Sequence, residues 1–184
     1  INSKEIRKND VFFAIKGKKN DGNFFVRESL NKGASFAVVN RINRSTKQTK
    51  QLLVKDSLKS LTSISKKIRL SSNAKIIAIT GSCGKTSLKE LLANTLSKIG
   101  RVSYSPKSYN NKYGVPLSLF NINNNDDFGI FEVGMDKSGE IDFLSNIIKP
   151  DLAVITNISY AHAKNFKNLD QIANAKSEII KNIN

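Results

Sequence analysis

The chain contains no tryptophan and only one cysteine, one methionine and one histidine among its 184 residues. A single cysteine excludes an intramolecular disulfide framework and agrees with a reducing compartment. Only three prolines occur, and no apolar run approaches the roughly 20 residues that span a bilayer. No signal-peptide pattern opens the chain. The composition therefore predicts a globular cytoplasmic protein without membrane insertion.

Acidic residues are also scarce, with 15 Asp and Glu against 30 Lys and Arg, which gives a formal net charge of +15. Such a charge raises the hypothesis of a nucleic-acid partner, because clustered basic side chains neutralise phosphates. The lysines, however, are spread over the whole chain and form no basic stripe interleaved with aromatic residues. We therefore expect solvated basic faces and no nucleic-acid partner.

The first part of the chain reads as a small α/β unit. The segments "VFFAI", "SFAVVN" and "LLV" are typical of short strands, and "NFFVRESLNKG" of a short helix. Asp56 is expected to cap a helix with an apolar stripe of Leu58, Leu61, Ile64 and Ile68. The stretch "LSSNAK" resembles a linker, so we place a domain boundary between residues 72 and 73.

Residues 73–184 repeat a strand, loop and helix pattern. The strands "KIIAIT", "FGIFEVG" and "DLAVITN" are nearly continuous apolar runs, as in a parallel sheet covered on both faces. Helices are predicted over 88–99, over 140–148 and from Leu169 onward. The fold class is therefore α/β, a small amino-terminal α/β domain followed by a doubly wound parallel-sheet domain. Because the chain lacks an initiator Met and stops within a helical pattern, we expect a longer parent protein.

A glycine loop, "TGSCGKTS", joins the first of these later strands to its helix. In a phosphate-binding loop, backbone N–H groups and a helix N-terminus face the anion, a lysine reaches the terminal phosphates, and a hydroxyl binds magnesium. Gly81, Gly84, Lys85 and Thr86 supply these parts, but Ile79 stands where the common motif has another glycine. The alternative is a glycine-rich turn without a ligand. The following helix, with Leu88, Leu91, Leu92, Leu96 and Ile99 as its apolar face, favours the phosphate loop.

Three further residues could carry chemistry beside that loop. Glu132 ends an apolar strand, where it would bind magnesium, form a salt bridge or face solvent at the strand end. His162 follows the next strand as a ligand or an ordinary loop histidine. Lys176 lies in the helical stripe of Ile172, Ile179, Ile180 and Ile183, where burial would favour its neutral, carbamate-forming amine. Spacing alone favours the alternative, a lysine whose ammonium reaches the helix edge.

Several segments in order resemble the Mur ligase family of peptidoglycan synthesis, over nearly the whole chain. They are "AITGSCGKTSLKELLA", "YNNKYGVPLSLF", "FEVGMDKSGEI" and "VITNISYAHAKNFKNLDQIANAKSEI", preceded by "NSKEIRKNDVFFAIKGKKNDGNFF". The resemblance implies a uridine-nucleotide domain over 1–72 and an incomplete central P-loop-type ATPase domain over 73–184. The short glycine spacing is a feature of this family's ATP loop.

The resemblance also implies roles for individual residues. ATP would be held by the loop residues Gly81, Ser82, Cys83, Gly84, Lys85, Thr86 and Ser87. One magnesium ion would bind Thr86 and Glu132, and a second would bind His162 and carbamylated Lys176, so that Lys85, His162 and Lys176 are catalytic. Asn110 and Asn111 would line the active site, while Ser3, Lys4 and Asp21 would lie near the UDP group.

The chain departs from the family pattern at a few positions. Lys4 stands where arginine is usual, which gives up bidentate geometry, and Asp136 stands where asparagine is usual. Cys83 is interpreted as a tolerated small residue rather than a nucleophile.

The implied activity is ATP-dependent amide formation by a bacterial cytoplasmic monomer that serves cell-wall synthesis, cell shape and division. The substrates would be UDP-N-acetylmuramoyl-tripeptide and D-Ala-D-Ala. Alternatives are the family branch that extends UDP-N-acetylmuramoyl-dipeptide, an unrelated P-loop kinase or GTPase, and a non-catalytic nucleotide-binding fragment. "FEVGMDKSGEI" argues against the dipeptide branch, which tends to have Glu-Val-Ser-Ser-His there. We expect the isolated chain to show little or no turnover.

Overall fold

A computed structural model describes residues 1–17, 20–160 and 165–184. The chain divides into two compact units, residues 1–63 and 64–184, with the division inside one long helix. The predicted boundary between the domains 1–72 and 73–184 lies just after that helix instead. Their assignment to a uridine-nucleotide and an ATP-binding function stays a prediction.

The first unit is built on a three-stranded parallel sheet with the order β1-β2-β3. The strands are β1 (Val11–Phe13), β2 (Phe36–Val39) and β3 (Gln51–Leu53), and helix α1 (Val26–Asn31) connects the first two. Helix α1 follows a 3-10 turn over Gly22–Phe25. The core of the unit is apolar and consists of Phe12, Ala14, Val26, Ala34, Ala37 and Val39. All three predicted strands are confirmed.

Helix α2 (Ser57–Ser71) begins in the first unit and ends in the second. Its predicted cap is confirmed, because the Asp56 carboxylate accepts the backbone N–H groups of Leu58 and Lys59 at 2.8 and 3.0 Å. The predicted apolar stripe is only partly correct. Leu61 is buried, but Ile64 is exposed.

The second unit contains a four-stranded parallel sheet with the order β5-β6-β4-β7. Its strands are β4 (Lys75–Thr80), β5 (Val102–Tyr104), β6 (Phe128–Glu132) and β7 (Leu152–Ile155). The helices are α3 (Lys85–Leu96), α4 (Gly114–Leu119), α5 (Glu140–Ile148) and α6 (Leu169–Ser177). The central pair is registered from Lys75 beside Phe128 to Ile79 beside Glu132, so β4 and β6 end at the same edge.

The two faces of this sheet carry different helices, as expected for a doubly wound fold. Alternate residues of a strand point to opposite faces. Ile76 and Ala78 pack with residues of α4, α5 and α6, whereas Ile79 and Ile130 pack with Leu88, Leu92 and Leu96 of α3. The predicted α/β class and the parallel sheet of the second part are confirmed, and the sheet of the first unit is parallel as well.

Two elements of the second unit were not predicted, β5 and α4. Strand β5 has only three residues, and α4 contains Gly114 and Pro116 in its first turn. Proline is compatible with a first turn because the N–H that it lacks would have no partner within the helix. Neither segment is long enough to show a clear period in the sequence.

The predicted apolar stripes of α3 and of the last helix are only partly correct. Helix α3 stops at Leu96, and Leu91 and Ile99 are exposed. After Ser177 the chain continues as a 3-10 helix over Glu178–Asn182, with about three residues per turn rather than 3.6. That tighter winding leaves Ile180 and Ile183 at the surface, although Ile172 and Ile179 are buried.

Within the described residues, no helix is both long and apolar enough to cross a membrane.

A buried arginine joins the end of α2 to the end of α5 and to Asp151, the residue before β7. Arg69 is 5% exposed, and its guanidinium donates to the carbonyls of Ile148 and Lys149 at 2.8 and 2.7 Å, at the end of α5. It also pairs with the Asp151 carboxylate at 3.1 Å. Lone carbonyls at the end of a helix are thereby satisfied.

Replacing Arg69 by Ala should lower the free energy of unfolding by about 2–4 kcal/mol, since several buried acceptors lose their donor together. Urea denaturation followed by circular dichroism measures the change. Lys67→Ala, at an exposed position of the same helix, is the control and should stay within about 0.5 kcal/mol of the unchanged protein. A loss below 1 kcal/mol for Arg69→Ala would contradict the role given to this side chain.

Candidate functional site

The carboxyl ends of β4, β6 and β7 lie together at one edge of the second sheet. Strand β4 leads through residues 81–84 into α3, β6 ends at Glu132, and β7 leads into Thr156 and Asn157. Ligands of open parallel sheets bind outside this edge. The side chains that follow these strands therefore form the candidate site.

Both glycines of the loop have backbone conformations that disfavour other residues. Gly84 has φ +78° and is the N-cap of α3, and Gly81 has φ +150°. A Cβ atom at Gly81 would collide with the Thr156 hydroxyl oxygen. Thr156 therefore lies so close to Gly81 that a side chain at this position would have no room.

The N-terminus of α3 offers free donors. The backbone N–H groups of residues 84–87 donate to no atom of the described part of the chain, and the helix dipole adds partial positive charge there. The Lys85 ammonium donates to the Gly81 carbonyl at 2.7 Å, which holds it across the loop. Donors and charge thus converge where an anion can bind.

The centre of the site is the Glu132 carboxylate, which is 1% exposed. One carboxylate oxygen accepts the Thr86 hydroxyl at 2.8 Å, and the other accepts the Asn110 amide at 2.7 Å. The Glu132 N–H donates to the Ser105 hydroxyl at 3.0 Å. The structure therefore brings together three of the predicted residues, from α3, β6 and the loop before α4.

Asn110 and Asn111 have different surroundings. A Cβ atom at Gly134 would lie 2.9 Å from the Asn110 side chain, so this glycine gives Asn110 its room. The Asn111 side-chain oxygen accepts the N–H groups of Tyr113 and Gly114, both at 3.0 Å, at the start of α4. Both asparagines line a cavity of about 640 Å³, together with Lys85, Lys112, Tyr113, Gly134, Met135, Asp136, Lys137, Ser138, Gly139, Glu140, Phe143 and Leu144.

Three polar residues near the site were missed by the sequence reasoning, namely Lys89, Ser105 and Ser108. Lys89 lies on α3 with 0% exposure and donates to the carbonyl of Lys107, whose φ is +51°. Ser108 is 3.4 Å from the Thr86 hydroxyl. Ser105 and Ser108 follow β5, which was not predicted, so the polar segment "SPKSYN" was the only available signal for these two residues.

Lys176 is almost completely buried, at 1% exposure. Burial lowers the pKa of its amine from 10.5 to about 8, and the positive charge of Lys85 acts in the same direction. The sequence left a buried amine and a snorkelling ammonium open, and the structure shows the buried one. About a tenth of the amine is therefore in the neutral, nucleophilic form at pH 7.

Four predicted residues remain, namely His162, Asp21, Ser3 and Lys4. His162 falls within residues 161–164, outside the described residues. Asp21, in the first unit, lines a separate cavity of about 400 Å³, and hydrogen bonds from Asn23 together with the charge of Arg41 lower its pKa. Ser3 and Lys4 do not line that cavity, and the Ser3 hydroxyl instead donates to Glu28 at 3.2 Å.

The described residues contain no group of three or more His, Cys, Asp or Glu side chains arranged to hold a metal ion. A cation at the candidate site would therefore depend on the Thr86 hydroxyl and the Glu132 carboxylate together with oxygens of a ligand. Magnesium is commonly bound in this way, with few protein ligands and with substrate phosphates.

These features define a class, that of parallel α/β proteins in which a short glycine loop and a helix N-terminus face a carboxylate on the neighbouring strand. The model of the Mur ligase middle domain matches residues 79–184, more than half of the chain. The chain belongs to the Mur ligase family.

Curated relatives that match the chain carry the name UDP-N-acetylmuramoyl-tripeptide–D-alanyl-D-alanine ligase. The one from Rickettsia prowazekii is 40% identical over 182 residues, and the one from Bacillus subtilis is 32% identical over 179 residues. These alignments cover 99% and 97% of the chain. They cover only 40% and 39% of the relatives, so the chain spans about two fifths of their length.

Solved structures of the ligase MurF are similar over the whole fold. The MurF structure from Acinetobacter baumannii has a TM-score of 0.91 at 34% identity. The match covers 100% of the present chain and 40% of the MurF chain. The MurF structure from Thermotoga maritima, in complex with ADP, has a TM-score of 0.86 at 35% identity and covers 99% of the chain and 42% of that protein.

The buried Lys176 should make stability depend on pH. Its pKa in the folded state, about 8, lies below the ordinary value of 10.5, so the unfolded chain binds more protons between these values. The cost of burying this amine is full below pH 8 and fades as the pH rises to 10.5. Lys176→Met should therefore raise the free energy of unfolding at pH 7 by about 2–3 kcal/mol.

Urea denaturation at pH 7, 8, 9 and 10 measures this effect, and the gain from Lys176→Met should shrink with each step. Lys181→Met, at an exposed position nearby, serves as the control and should show no comparable gain. Equal stability of Lys176→Met and the unchanged protein at pH 7 would show that the amine is not desolvated.

Proposed function

We propose that this chain carries the nucleotide-binding part of an ATP-dependent ligase that joins D-Ala-D-Ala to UDP-N-acetylmuramoyl-tripeptide. The enzyme would act as a monomer in the bacterial cytoplasm, in peptidoglycan synthesis. The observation that carries the proposal is the Thr86–Glu132 hydrogen bond of 2.8 Å, placed at the mouth of a glycine loop. Relatives that bear the name of this ligase match nearly the whole chain.

ATP would bind on residues 81–87. The free N–H groups of residues 84–87 suit phosphate oxygens, and the Lys85 ammonium can exchange the Gly81 carbonyl for a terminal phosphate. Fixed donors of this kind stabilise charge on a transferring phosphoryl group without having to reorient during the reaction.

A magnesium ion fits the oxygen atoms of Thr86 and Glu132. Both are hard oxygen donors, and the 2.8 Å between them is short enough for both to bind one ion. Bound there, the ion would neutralise phosphate charge. A second ion is proposed on His162 and carbamylated Lys176, since the lowered pKa of this amine favours the neutral form that reacts with carbon dioxide.

The acyl substrate is proposed to enter the cavity of about 640 Å³ beside the loop, where Asn110 and Asn111 would orient it. Asp21, with its own cavity in the first unit, would contact the UDP group, and Ser3 and Lys4 would lie near that group without lining the cavity. Lys4 would contact it by charge rather than through the two parallel hydrogen bonds that arginine makes.

The reaction would proceed in two displacements. The terminal carboxylate of the tripeptide attacks the γ-phosphorus of ATP, and ADP leaves with the electron pair of the broken P–O bond. The amine of D-Ala-D-Ala then attacks the acyl carbon, loses a proton, and phosphate leaves. In both steps Lys85 would hold phosphate charge, while the Glu132 carboxylate, itself held by Asn110, keeps Thr86 in place.

The proposed activity predicts phosphate release by the protein that carries this sequence only when ATP, UDP-N-acetylmuramoyl-tripeptide and D-Ala-D-Ala are all present. A coupled assay of inorganic phosphate with each component omitted in turn measures it. Release with UDP-N-acetylmuramoyl-dipeptide and a single amino acid would favour the dipeptide branch of the family. Release with ATP alone would contradict a ligase.

The proposed magnesium site predicts that Thr86→Val abolishes the effect of Mg²⁺ on ADP binding. Isothermal titration calorimetry with and without Mg²⁺ should show at least about tenfold tighter binding with the ion for the unchanged chain, and less than about twofold for Thr86→Val. Thr95→Val is the matched control, because Thr95 lies exposed on the same helix. A variant Thr86→Val that keeps the full Mg²⁺ effect would place the ion elsewhere.

A further inference from the structure

Three of the four residues after β7, Thr156, Asn157 and Ser159, are hydrogen-bonded to the glycine loop. The Thr156 hydroxyl donates to the Cys83 carbonyl at 2.6 Å, and the Ser82 hydroxyl donates to the Ser159 carbonyl at 3.0 Å. The Ser159 N–H donates back to the Ser82 hydroxyl at 2.9 Å. No other segment in the described part of the chain makes so many bonds to this loop.

Asn157 makes the most direct of these contacts. Its side-chain oxygen accepts the backbone N–H groups of Ser82 and Cys83 at 3.1 and 3.0 Å. Its side-chain amide donates to the Cys83 sulfur at 2.8 Å, and its backbone carbonyl also accepts the Ser82 N–H, at 3.1 Å. One carboxamide therefore occupies both N–H groups in the first half of the loop.

The N–H groups of the loop are thus divided into two sets. Those of Ser82 and Cys83 point to Asn157, whereas those of residues 84–87 meet no acceptor within the described residues. Only the second set lies at the N-terminus of α3, where the helix dipole favours an anion. The bonds to Asn157 therefore leave the anion-binding donors free.

The length of the loop explains why it needs an outside partner. Two residues separate Gly81 from Gly84, whereas the common phosphate loop has four between its glycines. Two glycines with positive φ also give an unsupported loop many alternative conformations. Without the Asn157 carboxamide, the loop would have to become ordered when the ligand binds, and the entropy cost of that ordering would weaken binding.

We propose that Asn157 is the positioning residue of this loop, and that its carboxamide holds residues 82 and 83 so that the N–H groups of residues 84–87 are ready for a phosphate group. The identity of the anion as a nucleotide phosphate rests on the proposed function. The holding of the loop by Asn157 does not.

The alternative role for Asn157 is that of a competitor, which blocks the binding of a nucleotide. If the Asn157 oxygen occupied the place of a phosphate oxygen, a nucleotide would have to displace it. Removing the side chain would then tighten nucleotide binding. The two roles therefore predict changes of opposite sign in the same measurement.

The single cysteine of the chain makes the loop directly observable, because a thiol reagent reports on Cys83 alone. Asn157→Ala removes the hydrogen bond to the sulfur and the bonds to the Ser82 and Cys83 N–H groups. The alkylation rate of Cys83 by iodoacetamide should then rise about threefold or more. Affinity for ADP with Mg²⁺, measured by calorimetry, should fall about tenfold, the worth of one or two hydrogen bonds.

Asn157 is exposed, so its truncation leaves no cavity, and the thermal melting curve should show that the variant is folded. Thr156→Val removes the bond to the Cys83 carbonyl with little change of shape, and it should shift both readouts in the same direction but less. Asn94→Ala, at an exposed position of α3, is the control and should change neither.

An Asn157→Ala variant with unchanged alkylation rate and unchanged ADP affinity would overturn the proposal. Tighter ADP binding would overturn it in favour of the displacement role. A faster alkylation rate with unchanged ADP affinity would also overturn it, since the loop would then be held for another purpose. If the unchanged chain binds no ADP, the proposed function fails, while the alkylation rate still tests the holding of the loop.

Discussion

The burial of one carboxylate, that of Glu132, is the constraint on which the second unit's edge depends. This carboxylate is 1% exposed, and burying a carboxylate lowers the free energy of unfolding unless its oxygens are hydrogen-bonded. Thr86 and Asn110 supply those bonds, and they come from α3 and from the loop before α4. Helix α3, strand β6 and that loop are therefore held at fixed distances by a polar contact as well as by the apolar core.

The surrounding polar contacts act on the same edge from its other sides. Lys89 fastens α3 to the loop that carries Asn110, and residues 156–159 hold the glycine loop. The apolar core beneath, on both faces of the sheet, provides the rigid support. Donors that are placed in advance can stabilise an anion without reorganising, which is why such an edge suits phosphate chemistry.

Stability and function oppose each other at Lys176. The helix could carry an apolar residue at this position with lower cost, because the amine is buried and its pKa is about 8. A neutral amine is, however, what carbamate formation requires. The structure thus holds a group whose burial weakens the fold and suits the proposed chemistry.

The sequence alone determined every strand except β5, the α/β class, the cap at Asp56 and the glycine loop, because these follow from local periodicity and from residues a few positions apart. It also identified Thr86, Asn110, Glu132 and Lys176 as candidates. It could not reveal β5, α4, the buried Lys89 or the contacts of Asn157. These depend on segments up to about 75 positions apart, such as Cys83 and Asn157, and only tertiary packing brings such groups within hydrogen-bonding distance.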